Sequence, residues 1–354
     1  MTWMVGAGNA SPARGYFRRL APDGSAATGV RSLPIPPKTI ATVAGGFLAA
    51  GGEPFDGRLY LQRYDANGDE QTPAFQVRNA LPYYVYGAKM APSPDERYMV
   101  VWYEEICSPY PPLLCYSNGG HGSTFDGTGD PLSNTFELPL LPHETETSVA
   151  STGNDSFVVS AAEYQSDGSS VGRRIDGAGT PLGNPFFFDG AQTIERLAGG
   201  DLVAVWTQRG YPNDRLFTRR YRATGEPVSP VFEIYACHDA EWCFMRRAFS
   251  IAPGPYGDFL VVWRSEEASD FDQVNAQWFS PAMDPGPVTL VADVQAGFFL
   301  VGSGAPEAHP ASGNRFLVAW PDRSGVFGRF VATPVIFADG FESGDTTAWT
   351  NAVP

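Results

Sequence analysis

The side chains best suited to chemistry lie in two long stretches that interrupt an otherwise regular sequence. Carboxylates and imidazoles exchange protons and hold polar ligands, and Trp rings stack on the apolar faces of sugars. These residues are Glu104, Glu105 and His121 in the first stretch and His238, Asp239, Glu241 and Trp242 in the second. We predict that they bind a ligand. We assign no catalytic residue, because the chain has no coherent catalytic set and its four His lack metal-binding spacing.

Each of these stretches also contains two cysteines. The close pairs are Cys107 with Cys115 and Cys237 with Cys243, and neither spacing suits a zinc site. We predict two local disulfides, which would place the protein in an oxidising compartment. Four ordinary thiols are the alternative.

One turn has the oxygen-rich pattern of a calcium loop. Asp65, Asn67 and Asp69 present side-chain oxygens at alternate positions. The downstream bidentate Glu of an EF-hand is missing, so a plain hairpin turn is the favoured interpretation. We therefore predict no cofactor, with Ca²⁺ as the candidate ion at this turn.

Composition bounds the class of partner. The formal net charge is −15, which disfavours nucleic acid and anionic membrane surfaces, and no apolar run reaches the length of a transmembrane helix. Hydrophobic residues make up 43% of the 354 residues, enough for a large core.

The 39 Gly and 31 Pro are spread between short apolar runs, a pattern typical of many short strands. We expect an acidic, soluble monomer.

A short strand-like segment recurs along the chain and predicts a repeat architecture. Its copies end at residues 3, 51, 102, 161, 206, 263 and 320, at spacings between 45 and 59 residues. The clearest copies are Leu202–Trp206, Phe259–Trp263 and Phe316–Trp320. Each is preceded by one apolar segment and followed by two more, which gives four strands per unit.

Four antiparallel strands per unit predict an all-β fold, a β-propeller of four-stranded blades. Seven blades are expected, with six or eight as alternatives and a parallel β-helix as a weaker one. The expected propeller spans 1–337, with blades at about 1–35, 36–80, 81–140, 141–189, 190–235, 236–292 and 293–337. The tail 338–354 is a candidate for closing the ring.

Two further residues recur once per unit. Trp or a substitute ends the repeated strand, and Arg precedes a turn rich in Asp and Gly, as at 63, 174, 220 and 329. A sugar platform or an anion-binding ring would use such residues. We favour packing between blades for Trp, and pairing with acids or loop carbonyls for Arg.

The segment 336–349 carries a separate signal. Its sequence Asp-Gly-Phe-Glu-Ser-Gly-Asp, followed by Trp349, resembles the DGFESGDxxxW motif near the C-termini of many secreted bacterial proteins. The resemblance covers about 15 residues and implies export. Because the sequence starts inside a repeat, we expect a signal peptide to lie upstream.

Two functions of different classes remain open. The first is a non-catalytic extracytoplasmic binding propeller that takes a protein or glycan ligand through its loop face. The alternative is a polysaccharide hydrolase or lyase with carboxylates converging on the central channel. The innermost segments Lys38–Val43, Thr147–Ser151 and Ala248–Ala252 are mostly small and apolar, which favours binding.

Overall fold

Strands account for all the regular structure that is described. The computed structural model describes residues 2–4, 15–19, 27–29, 31–34, 37–52, 57–79, 84–107, 115–138, 146–153, 155–162, 170–208, 214–236, 249–266, 271–295, 305–311, 315–322 and 325–333. Within these ranges there are 26 strands and no helix. They form seven antiparallel sheets in which each strand pairs with its neighbours in sequence.

The first three sheets come from the N-terminal part of the chain. Their strands are β1 (Thr2–Met4), β2 (Gly15–Arg19) and β3 (Arg31–Leu33); β4 (Pro37–Val43), β5 (Gly46–Gly51), β6 (Arg58–Asp65) and β7 (Phe75–Asn79); and β8 (Tyr84–Pro92), β9 (Tyr98–Cys107), β10 (Cys115–Phe125) and β11 (Phe136–Glu137).

The other four sheets follow in the same order. Their strands are β12 (Glu146–Gly153), β13 (Ser156–Ala162), β14 (Ser170–Asp176) and β15 (Phe186–Phe188); β16 (Thr193–Arg196), β17 (Leu202–Gln208), β18 (Arg215–Tyr221) and β19 (Phe232–Ala236); β20 (Phe249–Pro253), β21 (Phe259–Glu266), β22 (Phe271–Phe279) and β23 (Pro285–Gln295); and β24 (Glu307–Ala311), β25 (Arg315–Asp322) and β26 (Gly325–Ala332).

The sheets are arranged as the blades of a propeller. The first strand of each sheet from the second to the sixth contacts the first strand of the next sheet, in the series β4, β8, β12, β16, β20 and β24. Strands that meet in this way line a common axis, and the later strands of each sheet lie progressively outward. The chain is therefore an all-β propeller of antiparallel blades, as the repeat predicts. The number of blades in the ring stays a prediction.

The observed sheets differ slightly from the predicted blade boundaries. The boundary at 235 falls one residue before the end of β19, and the boundary at 292 falls inside β23. β23 is longer than its counterparts because it pairs with β22 from the first residue of that strand to the last, Phe271 with Gln295 and Phe279 with Pro285. Outer-strand length depends on this pairing and has no marker in the repeat.

The second strand of each sheet forms the core because it packs against a neighbour on both faces. In β21, Phe259, Val261 and Trp263 pack with the fifth sheet, whereas Leu260 and Val262 pack with the seventh. The recurring Trp is accordingly buried, with 0% exposure at Trp102 and Trp263 and 4% at Trp206. The prediction that these Trp residues pack between blades is confirmed at all three positions.

The turn between the third and fourth strands is held by its own side chain. In three sheets the turn begins with an Asp whose Oδ1 accepts hydrogen bonds from the backbone N–H groups two and four residues further on, at 2.8–3.0 Å. These residues are Asp65, Asp126 and Asp176. The turn glycine has φ between 83° and 91° at Gly68, Gly129, Gly179 and Gly225. Positive φ costs glycine little, so the predicted Asp–Gly turn is confirmed.

The recurring Arg anchors these turns to neighbouring backbone or acids. Nη2 of Arg63 donates to the Ala44 carbonyl at 3.1 Å, and Nη1 of Arg329 donates to that of Val291 at 3.0 Å. Nε of Arg220 donates to Oδ2 of Asp201 at 2.9 Å. The predicted pairing with acids and loop carbonyls is therefore confirmed for Arg63, Arg220 and Arg329.

Hydrogen bonds between blades connect the innermost strands. Oγ of Ser148 accepts the Ile194 N–H at 3.1 Å, and Oγ of Ser250 accepts the Ala308 N–H at 3.2 Å. An innermost strand has a free backbone edge, which is unfavourable unless it is covered or bonded. These hydroxyls satisfy part of that edge and fix the relative height of neighbouring innermost strands.

Candidate functional site

Of the two groups of predicted ligand-binding residues, the first lies on described strands and the second lies outside the described residues. Glu104 and His121 are strand residues, on β9 and β10, and their side chains meet. Glu105 lies beside them on β9 and is partly exposed. The second predicted group, His238, Asp239, Glu241 and Trp242, lies outside the described residues, as do Cys237 and Cys243.

The carboxylate of Glu104 is fully occupied by donors of the protein itself. Arg78 on β7 approaches it with Nε 2.7 Å from Oε1 and Nη2 3.2 Å from Oε2. Nε1 of Trp102 donates to Oε1 at 3.1 Å, and Nε2 of His121 lies 3.5 Å from Oε2. Glu104 has 0% exposure and His121 has 5%.

This arrangement corrects the expectation that Glu104 and His121 belong to a solvated binding loop. Desolvation raises the pKa of Glu104, but hydrogen bonds from Arg78 and Trp102 and the charge of His121 lower it more, so the net pKa lies below its ordinary value. The group joins the second sheet, through Arg78, to the third. Its role is architectural. Burial raises the pKa of the neighbouring Glu105.

The strands that carry Glu104 and His121 also bring two cysteines into register. Cys107 ends β9, Cys115 begins β10, and the two residues are direct partners in the antiparallel ladder. Residues 108–114 between them lie outside the described residues. The disulfide stays a prediction at both cysteine pairs.

The predicted calcium residues form a turn. Oδ1 of Asp65 accepts the N–H groups of Asn67 and Asp69, and the carboxylate of Asp69 pairs with Arg31 of the first sheet. The backbone hydrogen bond from Asp69 is the main reason that the pKa of Asp65 lies below its ordinary value. Across the described residues, no group of three or more His, Cys, Asp or Glu is placed to hold a metal ion.

Strand register reveals a set of polar and charged side chains on the innermost strands. The residues opposite the fourth position of the repeated strand are all polar, namely Thr39, Lys89, Ser148, Thr193, Ser250 and Glu307. Two residues further along, four innermost strands have alanine, whereas the fifth and seventh sheets have Glu195 and His309. Side chains two residues apart on a strand share a face. The four alanines on that face are buried in the core between blades, so Glu195 and His309 are polar at a position that is apolar in the other four sheets.

Lys89 connects the charges of these strands. The positive charge of Lys89 acts to lower the pKa of both Glu195 and Glu307, as the smallest of the effects on each group. These residues lie on β8, β16 and β24, in three sheets of which no two are adjacent. Side chains from such sheets can interact if they point toward the common axis. We call Lys89, Glu195, Glu307 and His309 the channel site.

The two carboxylates of the channel site have different environments. Desolvation raises the pKa of Glu195 to about 7, against a smaller lowering by Lys89. Desolvation also acts on Glu307, but His309 and Lys89 outweigh it and lower the pKa below its ordinary value. Nε2 of His309 lies 3.8 Å from Oε2 of Glu307, an ion-pair distance rather than a hydrogen bond.

The side chains of the channel site are reached by water. The Glu307 side chain is 61% exposed and that of His309 is 38% exposed, while Lys89 is exposed and Glu195 is partly exposed. The site therefore offers an ammonium donor, a carboxylate whose pKa is lowered, an imidazole, and a carboxyl group whose pKa is raised toward neutral pH. Such a set can hold a polar ligand and can exchange protons with it.

Sequence reasoning missed this site although a signal was present. The three segments on which the prediction of a mostly apolar channel depends contain one charged residue, Lys38, and they leave out the strands that carry Lys89, Glu195 and Glu307. Lys38 and Lys89 are the chain's two lysines, and both lie on innermost strands. Superimposing all six segments by their paired strands would have shown Glu195 and His309 at positions occupied elsewhere by alanine.

Comparison with known proteins supports the fold. Hydrazine synthase of Kuenenia stuttgartiensis is similar over 91% of this chain and 90% of its own, at 11% identity and a TM-score of 0.50. A functionally unknown protein from Desulfotomaculum acetoxidans is similar over 90% and 92%, at 12% identity and 0.46. A prolyl endopeptidase matches 83% of this chain at 14% identity and 0.45, and this chain spans 39% of its length.

No family model and no curated protein sequence matches this chain. At such low identities the structural similarity establishes the propeller fold alone. Helices of the length and apolarity needed to span a membrane are absent from the described residues.

Proposed function

We propose that this chain is an extracytoplasmic binding propeller that holds a glycan in its central channel. The observation that carries the proposal is the channel site, where Lys89, Glu195 and Glu307 lie on the innermost strands of three sheets and keep side chains that are partly or largely exposed. Alternating donors and acceptors match the hydroxyl groups of a sugar. The ligand surface proposed is therefore the channel and not the loop face.

The charges of the site favour a neutral glycan. The positive charge of Lys89 is set against the carboxylate of Glu307 and the carboxyl group of Glu195, whose pKa is raised to about 7. The summed charge is small, so a strongly anionic or cationic ligand would gain little. A sugar can instead accept hydrogen bonds from the ammonium group and donate to the carboxylate, and charge-assisted hydrogen bonds of this kind are strong.

The direct test is a binding screen with the purified chain on immobilised glycans, both neutral and acidic. We expect neutral glycans to bind, with affinity falling at least about tenfold in Lys89→Gln and Glu307→Gln. Glu226→Gln is the matched control, because Glu226 lies in an exposed outer turn paired with Arg222 and should leave binding unchanged.

Two results would contradict the proposal. Wild-type affinity in both channel variants would move the ligand away from the channel. A screen in which no glycan binds but a protein partner is captured with defined stoichiometry would exclude the glycan.

The extracytoplasmic location is proposed on two grounds. The tail resembles a motif of secreted bacterial proteins, and the ladder between β9 and β10 pairs Cys107 with Cys115. Directly paired residues of antiparallel strands have Cα atoms about 4.5 to 5.5 Å apart, inside the range of disulfides. We propose that these two cysteines are joined, as are Cys237 and Cys243.

Mass spectrometry of the unfolded, unreduced protein tests both bridges. The expected result is no alkylation at any of the four cysteines, and a peptide that contains Cys107 linked to one that contains Cys115. Quantitative alkylation without reductant, in protein isolated from an oxidising compartment, would contradict the proposal.

A further inference from the structure

Two interfaces between neighbouring sheets use the same four strand positions with different side chains. The first interface lies between the second and third sheets, and we call its group the Glu104 centre. It consists of the recurring Trp, the residue two positions further along that strand, the partner of the Trp on the third strand, and one outer-strand residue of the preceding sheet. These residues are Trp102, Glu104, His121 and Arg78.

Strand register places three residues of the sixth sheet at matching positions. Trp263 ends the repeated strand and is the direct partner of Asn275 on the third strand. In the third sheet, Trp102 is the direct partner of His121 in the same way. Ser265 follows Trp263 by two residues and therefore takes the position of the carboxylate.

The fourth position belongs to Tyr235, on the outer strand of the fifth sheet. β7 and β19 each contain a bulge at the same place, and the residue just beyond it is Arg78 in β7 and Tyr235 in β19. The Tyr235 ring lies against Trp263, with ring centroids 6.0 Å apart. We call Trp263, Ser265, Asn275 and Tyr235 the Trp263 site.

The indole nitrogen distinguishes the two groups. In the Glu104 centre, Nε1 of Trp102 donates to Oε1 of Glu104 at 3.1 Å. Trp263 has 0% exposure, and none of the described residues accepts a hydrogen bond from its Nε1. Ser265 also has 0% exposure, and its Oγ accepts a hydrogen bond from Nδ2 of Asn275 at 3.4 Å. A buried donor without an acceptor is unfavourable, so the site is suited to a small molecule that can accept this hydrogen bond.

We propose that the Trp263 site binds one water molecule, held between Nε1 of Trp263 and Oγ of Ser265. Ser is shorter than Glu and Asn is smaller than His, so two of the four side chains are smaller than their counterparts in the Glu104 centre. Buried waters occupy polar sites of this kind, where they make about two to four hydrogen bonds. The water replaces the carboxylate oxygen of the Glu104 centre and bridges the indole to the hydroxyl group.

The charges around the site require a neutral ligand. In the Glu104 centre the carboxylate is balanced by a guanidinium, whereas Tyr235 supplies no positive charge. Arg264, the next residue after Trp263, is already paired with Asp272, with Nε 2.7 Å from Oδ2. A small anion in the site would be a buried charge without a partner, which is strongly unfavourable. Water can accept from the indole without bringing a charge.

A crystal structure with ordered solvent tests the proposal directly. We expect density for one oxygen at about 2.7 to 3.2 Å from Nε1 of Trp263, and none beside Nε1 of Trp102, whose N–H is taken by Glu104. The absence of density beside Trp263 would overturn the proposal, as would a protein acceptor there, including a turned amide of Asn275. Crystals grown in bromide should give no anomalous peak at the site, and such a peak would identify an anion in place of water.

Ser265→Gln tests whether the water takes the place of a side chain. Gln is uncharged and long enough to bring its amide oxygen to the position that the carboxylate of Glu104 has in the other interface. We expect the crystal structure of this variant to show Nε1 of Trp263 donating to the amide and no water there, and a melting temperature within about 2 °C of the wild type. A water retained on Nε1 in this variant would show that Ser265 is not part of the site.

A double-mutant cycle tests the equivalence of the two interfaces. Ser265→Glu should lower the melting temperature by at least about 4 °C, because the new carboxylate is buried without a cation. Adding Tyr235→Arg should recover at least about half of that loss, whereas Tyr235→Arg alone should lower the melting temperature. Strictly additive effects would show that Tyr235 does not match Arg78 and would remove the reason for a neutral ligand.

Discussion

The Glu104 centre and the channel site contain the same kinds of side chain in opposite settings. Each combines carboxylate, imidazole and a basic group. Around Glu104, every component is supplied by packed strands and the carboxylate has 0% exposure. In the channel, Glu307 is 61% exposed and is reached by positive charges from a distance. A saturated carboxylate stabilises the fold, whereas an accessible one can serve a ligand.

The comparison also shows that the position of a glutamate in the sheet determines its environment. Glu104 lies on a second strand, between two blades, where a charge survives because it is paired. Glu195 and Glu307 lie on first strands, where the side chain of Glu195 is partly exposed and that of Glu307 is 61% exposed. A glutamate on a second strand is therefore buried and paired, whereas a glutamate on a first strand remains accessible.

The largest expected effect is on stability, in Glu104→Gln. Removing the charge leaves the Arg78 guanidinium without its bidentate partner, and we expect a loss of about 3 kcal/mol in the free energy of unfolding. Urea denaturation measures it. Glu105→Gln is the adjacent control and should change stability by less than about 0.5 kcal/mol. Equal effects in the two variants would remove the distinction between the centres.

Lys89→Gln should show the reverse behaviour. Lys89 is exposed, so its loss should leave the melting temperature within about 2 °C of the wild type while ligand affinity falls about tenfold. Calorimetric titration with a glycan from the screen, beside a thermal melt, measures both quantities. A large drop in melting temperature would show that Lys89 stabilises the fold.

A smaller effect is expected in the pH dependence of stability. The pKa of Glu195 is raised in the folded protein, so its contribution is present in full below about pH 4.5 and is lost as the pH rises through about 7. Glu195→Gln should therefore be more stable than the wild type at pH 8, by on the order of 1 kcal/mol, and similar to it at pH 4.5. Denaturation at the two pH values measures this, and parallel curves would mean that Glu195 is not desolvated.

The smallest effect concerns a turn that serves neither centre. Asp126→Ala removes a side-chain oxygen that accepts two backbone N–H groups, and we expect a loss of about 1 kcal/mol, with less in Asp126→Asn. Denaturant midpoints measure both variants. Equal losses would show that the charge of Asp126 matters more than its geometry.

The fold could be predicted because its signals are local and repeated. Phe259–Trp263 and its copies mark the second strands, and Asp176 with Gly179 marks a turn, each through residues close in sequence. The two centres depend on register between distant segments. Arg78 meets Glu104 from another sheet, and Lys89 is near Glu195 and Glu307 after the blades are arranged around the axis. No residue spacing in the sequence indicates the contact of Arg78 with Glu104 or the interaction of Lys89 with Glu195 and Glu307.

Pairing between sequence neighbours has a consequence for how the molecule can change over time. Each described sheet is a meander, so its ladder is complete within one continuous piece of chain. Residues inserted at a hairpin tip, as between β9 and β10, lengthen that tip without altering the register of any other sheet. Evolution can therefore vary the rim freely while the height of every axial side chain stays fixed.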